Sequence, residues 1–320
     1  MGLLVKGQWQ DRWYENRDGE YRRDDAVFRN WVTADGSAGP SGVGGFKAES
    51  GRYHLFVSLA CPWAHRTLIF RKLKQLETHI GVTIVDPKML TQGWIFSAVS
   101  KDNPLSDLQY FHQVYTTAKP DYTGRVTVPV LWDKQQQTVA SNESSEIIRM
   151  LNSAFNYITA NTDDYYPAAL RKTIDEINTL VYENVNNGVY RAGFATTQEA
   201  YDRAYYCLFA ALDELEQRLS TNRYLVGDRL TEADWRLFTT LVRFDAVYYG
   251  HFKTNRQRIE DYPNLSNYLR ELYQVEGVAG TVNFHHIKTH YYYSHTTINP
   301  SQIVPNGPDI DYNRPHNRGC

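Results

Sequence analysis

The chain has 320 residues, 42% hydrophobic and 22% charged, with a formal net charge of −2, which gives length for two domains and a substantial core. Neither sign of charge dominates, which argues against a nucleic-acid or anionic-membrane partner. Three cysteines without paired spacing argue against a disulfide framework and for a reducing cytoplasm, while no signal-like segment and no apolar run of ~18 residues appears.

Residues 1–34 mix charges with spaced aromatics, Trp9, Trp13, Tyr21, Phe28 and Trp31, and show no sustained period. They read as an arm that lays aromatic anchors on the body of the protein. Arg12, Arg17, Arg22, Arg23 and Arg29 are interleaved with acids, the pattern of a solvated face. Gly2 starts a myristoylation-like sequence, but Lys6 stands where Ser or Thr is required, and the final Cys320 is outside any prenylation box. Residues 35–51 hold six glycines and a proline, a flexible loop before the first core strand.

The chain is organised around Arg52–Leu76. Tyr53, Leu55 and Val57 alternate with His54 and Phe56 as in a strand, and Ile69, Leu73 and Leu76 follow with helical spacing. Between them lies Cys61-Pro62-Trp63-Ala64. Proline suits the first helical position, which puts Cys61 at the N-cap beside the positive end of the helix dipole. Such a site stabilises a thiolate, lowering a thiol pKa of about 8.5 to roughly 3.5–7.5. The dithiol version of a strand, Cys-Pro turn and helix carries a second cysteine three positions on. Here that position is Ala64, so a mixed disulfide on Cys61 needs an external thiol. The plainer reading is a small buried hydrophobe at a helix start.

Residues 81–86 read as a second strand. The long connection 87–103 carries Gly93-Trp94-Ile95-Phe96, which either walls a pocket or plugs the core. A helix is expected over 104–118. Thr127–Trp132 is a strand interrupted by Pro129, and a cis Val128–Pro129 bond would turn the Val128 backbone toward an extended peptide ligand. Residues 137–141 return as a hairpin strand. Ser141-Asn142-Glu143-Ser144-Ser145-Glu146 then opens a helix whose N–H groups suit a carboxylate, with Glu143 suited to an ammonium; ordinary capping explains the same cluster.

From Tyr166-Pro167 onward, helical periods run through 167–186, 197–220, 230–245 and about 263–275. Leu208, Leu212, Leu215 and Leu219 form one apolar stripe, with Cys207 off it and expected to be inert. Thr231 is placed as a cap with Asp234 as its reciprocal acid, and Leu230 can staple onto Trp235. Residues 284–312 form a tail with four of the ten histidines and three adjacent tyrosines. His286 and His290 are four apart, yet the acid of an HExxH motif is missing, and no metal is expected. No Gly-rich dinucleotide fingerprint follows a strand.

Taken together, Cys61, the Val128-Pro129 strand, Glu143-Ser144 and the helical second half resemble the glutathione transferase superfamily. More narrowly, the segments SLACPWAHR, QGWIF, RVTVPVLWDK, SNESSEIIRM, NNGVYRAGFA, LTEADWRLF and HIKTHYYYSH…INPSQIVPNGP resemble the glutathionyl-hydroquinone reductases, or Xi-class glutathione transferases. The resemblance implies an α/β thioredoxin-like glutathione-binding domain (52–155) followed by an all-α helical bundle domain (166–283). An arm and loop (1–51) precede them, and a C-terminal tail (284–320) contributes to the active site. It further implies Cys61 as nucleophile, and Trp94, Arg125, Val128, Glu143 and Ser144 as the residues that hold glutathione. Tyr190 and a tail tyrosine would bind the hydroquinone hydroxyls; Tyr291, Tyr292 and Tyr293 are adjacent, and Tyr291 is favoured. Glutathione is the implied co-substrate, without metal, flavin or NAD, in a cytoplasmic homodimer built largely through the helical domains. Two rivals remain: an omega-like glutathione-dependent thiol transferase acting on other substrates, and a non-catalytic glutathione-transferase-like binding module. An activated thiol argues against the second, because a scaffold has no use for one.

Overall fold

The computed structural model describes residues 2–12, 18–96 and 102–319, so Trp13, Arg17 and Cys320 lie outside the described residues. The chain forms two compact units: Met1–Tyr14 with Asp24–Asp163, and Glu15–Arg23 with Asp164–Cys320.

The first unit begins differently from the expected arm. Strands β1 (Leu3–Val5) and β2 (Gln8–Gln10) form a hairpin across Lys6-Gly7, both at positive φ, as a two-residue turn matched to strand twist requires. Three-residue strands are too short to show a period, which is why they escape the sequence pattern. Strand β3 (Tyr53–Val57) leads into α1 (Pro62–Leu73) and β4 (Gly81–Ile84). Helix α2 follows only at His112–Ala118. The helix expected from 104 is shorter because Phe111 N–H donates to Trp94 O and Phe96 N–H to Gln109 O, committing that backbone to the 87–96 loop.

Strand β5 (Gly124–Arg125) joins the hairpin in a three-stranded sheet ordered β2-β1-β5. Strands β6 (Val130–Asp133) and β7 (Thr138–Ser141) complete a four-stranded sheet ordered β4-β3-β6-β7, in which only β3 and β4 are parallel. Every residue of β3 is buried, so its alternation does not mark a solvent face. His54 is accommodated there by a 2.8 Å hydrogen bond to Thr83 Oγ1, and burial lowers its pKa to about 4. Helix α3 (Ser144–Ser153) packs on α1, and the short α4 (Asn156–Thr159) follows. The 35–51 loop folds back on its own entrance through Gly45 N–H to Gly36 O and Ala48 N–H to Thr33 O.

In the second unit, α5 (Arg171–Leu180) runs through a wide π-helical stretch (Val181–Asn186) into α6 (Gly188–Gly193). Helix α7 (Gln198–Leu219) buries Leu208, Leu212, Leu215 and Leu219 and leaves Cys207 exposed. Helix α8 (Glu232–Arg243) starts on the expected capping box of Thr231 and Asp234. It passes through a second π stretch (Phe244–Tyr248) into α9 (Tyr249–His251). Asn186 Nδ2 joins the two π-bearing runs, donating to Arg236 O and to Thr240 Oγ1 at 3.1 and 2.7 Å. Helix α10 (Pro263–Tyr273) comes next, and the first part of the expected tail is itself a helix, α11 (Phe284–Ser294). Its cap is Asn283, which accepts from His286 N–H. Among the described residues, no helix is long and apolar enough to cross a membrane.

Candidate active site

The surroundings of Cys61 are made chiefly of backbone. Cys61 caps α1 in an extended conformation (φ −78°, ψ 122°) with Pro62 in the first helical position. Its carbonyl accepts the first helical bond, from His65 N–H at 3.0 Å. The leading amides of an α-helix have no acceptor within the helix, and the dipole is positive there. Half-buried Cys61 is in no disulfide. Its thiol donates to Val128 O at 3.4 Å, and the Val128–Pro129 peptide is cis, as the strand interruption anticipates. One buried ring fixes two neighbouring segments. The Tyr115 hydroxyl donates to Thr127 O at 2.7 Å and accepts from Thr127 N–H and from Asn142 Nδ2, each at 3.2 Å. Nothing in the sequence marks Tyr115, since an aromatic in an apolar helix face signals only packing.

Glu143 is the N-cap of α3. Its Oε1 accepts from Ser145 N–H at 2.9 Å and Ser145 Oγ at 2.7 Å. Ser144, buried, is the first helical residue. Both readings of this cluster therefore have a physical basis, for the cap leaves a helix N-terminus behind it. Arg125 lies in β5 opposite Leu3, with its Nε 3.0 Å from Asp24 Oδ2. Trp94 is buried, following a turn closed by Gly93 N–H to Leu90 O. Of its neighbours in that loop, Phe96 packs on Phe56 and Phe111 with centroids 5.9 Å away in each case, so this ring plugs the core.

In the helical unit the expected tyrosines come together. The hydroxyls of Tyr190 (α6) and Tyr291 (α11) are 2.5 Å apart. A third, Tyr248, lies 3.0 Å from Tyr291 and was not singled out in the sequence. Its only signal is its place at the end of a π stretch, a feature common at functional sites but invisible to a 3.6-residue period. Of the three adjacent tail tyrosines, Tyr291 is the one that enters this cluster. Tyr292 donates to Ala246 O at 3.5 Å, and the Tyr293 backbone accepts from Gln302. Burial, with Tyr190 and Tyr248 alongside, pushes the Tyr291 phenol well above its ordinary pKa against the pull of Arg243. It is therefore a protonated donor at neutral pH.

Behind Tyr291, His251 Nε2 lies 3.1 Å from His295 Nδ1, and burial lowers the pKa of both imidazoles, that of His251 to about 4. His290 is buried among these rings, 5.2 Å from Tyr291 and 5.3 Å from His295 between centroids. Among the described residues, no group of three or more His, Cys, Asp or Glu could hold a metal. Residues of the expected arm also reach this unit. Tyr21 packs on Tyr190 and Phe194, and Arg23 lies over the Tyr190 ring at 5.5 Å and donates to Asn187 Oδ1. Arg29, in the first unit, pairs with Glu146, its Nε donating at 2.7 Å. Arg23 and Arg29 are thus committed to specific partners, which interleaved charge does not reveal.

The glutathione S-transferase N-terminal domain matches residues 60–154, and its C-terminal domain matches 198–271. The chain is 55% identical to the glutathionyl-hydroquinone reductase YqjG of Escherichia coli, over 99% of this chain and 98% of that protein. The glutathione-bound structure of YqjG superposes with a TM-score of 0.92, covering 99% of each chain. Identity to the glutathionyl-hydroquinone reductase PcpF of Sphingobium chlorophenolicum is 53%, over 96% of each. A Xi-class glutathione transferase from Natrialba magadii is 48% identical with a TM-score of 0.90, covering 99% of this chain and 96% of that one. With both halves matched and identity above one half over nearly the whole length, the chain belongs to the glutathione transferase family, within its Xi-class, glutathionyl-hydroquinone reductase branch.

Proposed function

We infer that the protein is an enzyme that reduces glutathionyl-hydroquinones to hydroquinones at the expense of glutathione. The observation that carries this reading is the near-full-length identity to two glutathionyl-hydroquinone reductases. In the reading, the Cys61 thiolate attacks the glutathionyl sulfur. The carbon–sulfur bond breaks, its electron pair and one proton go to the ring carbon, and Cys61–S–SG forms with release of the hydroquinone. A second glutathione thiolate attacks that mixed disulfide, releasing oxidised glutathione and regenerating Cys61. Ala64 supports the external thiol, because the position that would resolve the disulfide internally has no sulfur.

Glutathione is held by the Val128 backbone as an added strand, by the α3 N-terminus with Glu143 and Ser144, and by Trp94 and Arg125. Tyr190 and Tyr291 orient the hydroquinone hydroxyls and supply the proton. Thiols alone balance the reaction, so it needs no metal, flavin or nicotinamide. The reading further takes the enzyme as cytoplasmic and as a homodimer built largely through the helical unit; light scattering of the purified protein tests the dimer.

Intact-mass analysis after treatment with oxidised glutathione tests the nucleophile. One added glutathione is expected, absent in Cys61→Ser, and that variant should lose turnover altogether. An adduct that persists in Cys61→Ser, on Cys207 or Cys320, would sink the assignment.

A further inference from the structure

The proposed chemistry leaves the N-terminal hairpin without a role. Its Trp9 sits in β2, and its indole makes two contacts with the segment that carries Trp94 and one with the start of α2. Trp9 Nε1 donates to Thr91 O at 2.8 Å, inside the turn 90–93. Its ring stacks on His112, at the start of α2, with centroids 4.8 Å apart and planes 14° from parallel; Tyr110 stacks on the same imidazole at 5.4 Å. The ring also covers Gly93, the residue before Trp94. A Cβ there would meet the indole at 2.8 Å, and Gly93 is at φ +68°, so the position is closed to a side chain on two grounds.

The other strand of the hairpin holds the opposite flank. In the β1–β5 ladder, Leu3 pairs with Arg125 and Leu4 with Gly124. The turn is anchored beside it, through Lys6 N–H to Thr123 Oγ1 and Gly7 N–H to Tyr122 O, each at 2.9 Å. Two of the residues assigned to glutathione, Trp94 and Arg125, are thus set by a single eight-residue hairpin outside the thioredoxin-like sheet.

We propose that the hairpin is a positioning element for the glutathione subsite, and that Trp9 acts through Gly93 to fix Trp94. This rests on the assignment of Trp94 to glutathione. The indole does not need to touch the ligand. It packs against Gly93 and holds Thr91 O, and shifts of about 1 Å remote from the reacting atoms are costly in an enzyme.

The test measures reduced-glutathione affinity by calorimetry on the full chain, with KM and kcat for a glutathionyl-hydroquinone and the melting temperature alongside. Trp9→Ala should weaken glutathione binding about tenfold while kcat at saturating glutathione stays within about twofold. Trp9→Phe keeps a ring on His112 and loses only the N–H and part of the Gly93 contact, so it should fall between, in a fold as stable as the parent. Trp94→Ala should weaken glutathione binding itself, and adding Trp9→Ala to it should cost little more, because the two act as one unit.

Strictly additive losses in the double variant would overturn the proposal, as would parental affinity in both Trp9 variants. A parallel loss of kcat, affinity and melting temperature would reduce Trp9 to a structural role and also overturn it. If Trp94→Ala binds glutathione as the parent does, the assignment of Trp94 fails and the proposal falls with it. If Trp94→Ala weakens binding and the Trp9 variants do not, the positioning proposal alone is wrong.

Discussion

The thiol region and the phenol region are built on opposite principles. Around Cys61 the chemistry comes from backbone: a helix start, a carbonyl at Val128 and a capped helix at Glu143. Around Tyr291 it comes from side chains on separate helices, Tyr190 being 101 residues away and Tyr248 43. A backbone site is a local property of sequence, since Cys-Pro before an amphipathic helix dictates what the sulfur meets. A side-chain cluster is a property of packing, and each member alone looks like any core tyrosine. The difference implies a division of labour. In the proposed reading, thiolate stabilisation falls to the helix start at Cys61 and the phenols serve the substrate.

That division can be broken by substituting the phenols. Tyr190→Phe and Tyr291→Phe remove only hydroxyls, so packing survives while proton donation and hydroxyl recognition are lost. General acid catalysis is typically worth about 10²–10⁴ in rate, and turnover of a glutathionyl-hydroquinone should fall by about 10². Alkylation of Cys61 by iodoacetamide, followed across pH, should change little, because it reports the thiolate. If alkylation slows in proportion to turnover and the Cys61 pKa rises, the phenols serve the sulfur and the division is wrong.

How far the sequence reached follows the same line. The strand–Cys-Pro–helix unit, the cis proline strand, the α7 stripe and the Thr231–Asp234 box were legible because each is a short-range pattern with its own physical signature. Tyr190 and Tyr291 were reached only through resemblance, and Tyr248 and Tyr115 not at all. The hairpin was missed for want of length, although Lys6-Gly7 is a turn signal. The starts of α2 and α11 have different causes: backbone bonds from Phe96 and Phe111 to distant residues hold α2 back to His112, which no local period records, whereas α11 starts on a local Asn283 cap.

The two regions are alike in one respect, and pH exposes it. Each buries a neutral imidazole: His54 in the sheet unit, His251 in the helical one, both lowered to about 4, chiefly by burial. A folded pKa below the unfolded value of about 6.5 means that the unfolded chain binds more protons between those limits. Each contribution is therefore whole above about pH 6.5 and lost as pH falls toward 4. From pH 7 to pH 5 each should remove about 2 kcal/mol of unfolding free energy, measured by urea titration. His54→Gln and His251→Gln should each flatten that slope by about half of their combined share. An unchanged slope in both would mean that neither imidazole is held neutral by the fold.

The smallest effects fall at the start of α3, where capping and ligand binding make different demands on adjacent residues. Glu143 spends Oε1 on Ser145, while Ser144 lies beyond the cap in the first turn. Glu143→Gln keeps an acceptor for the Ser145 N–H, so the helix should stay capped and the melting temperature nearly constant. It deletes the charge that an ammonium would require, and hydrogen bonds to charged groups are worth about 1.5–3 kcal/mol. Glutathione affinity should therefore fall about tenfold or more in this variant. Ser144→Ala leaves the cap untouched and removes one neutral hydroxyl, worth about 1 kcal/mol, so affinity should fall about fivefold. In both variants kcat at saturating glutathione should hold, because the lost contacts are to a part of the ligand that does not react. A drop in melting temperature with unchanged affinity would reverse the assignment. The cluster would then be a helix cap alone, and glutathione would be held by the Val128 backbone, Trp94 and Arg125 without it.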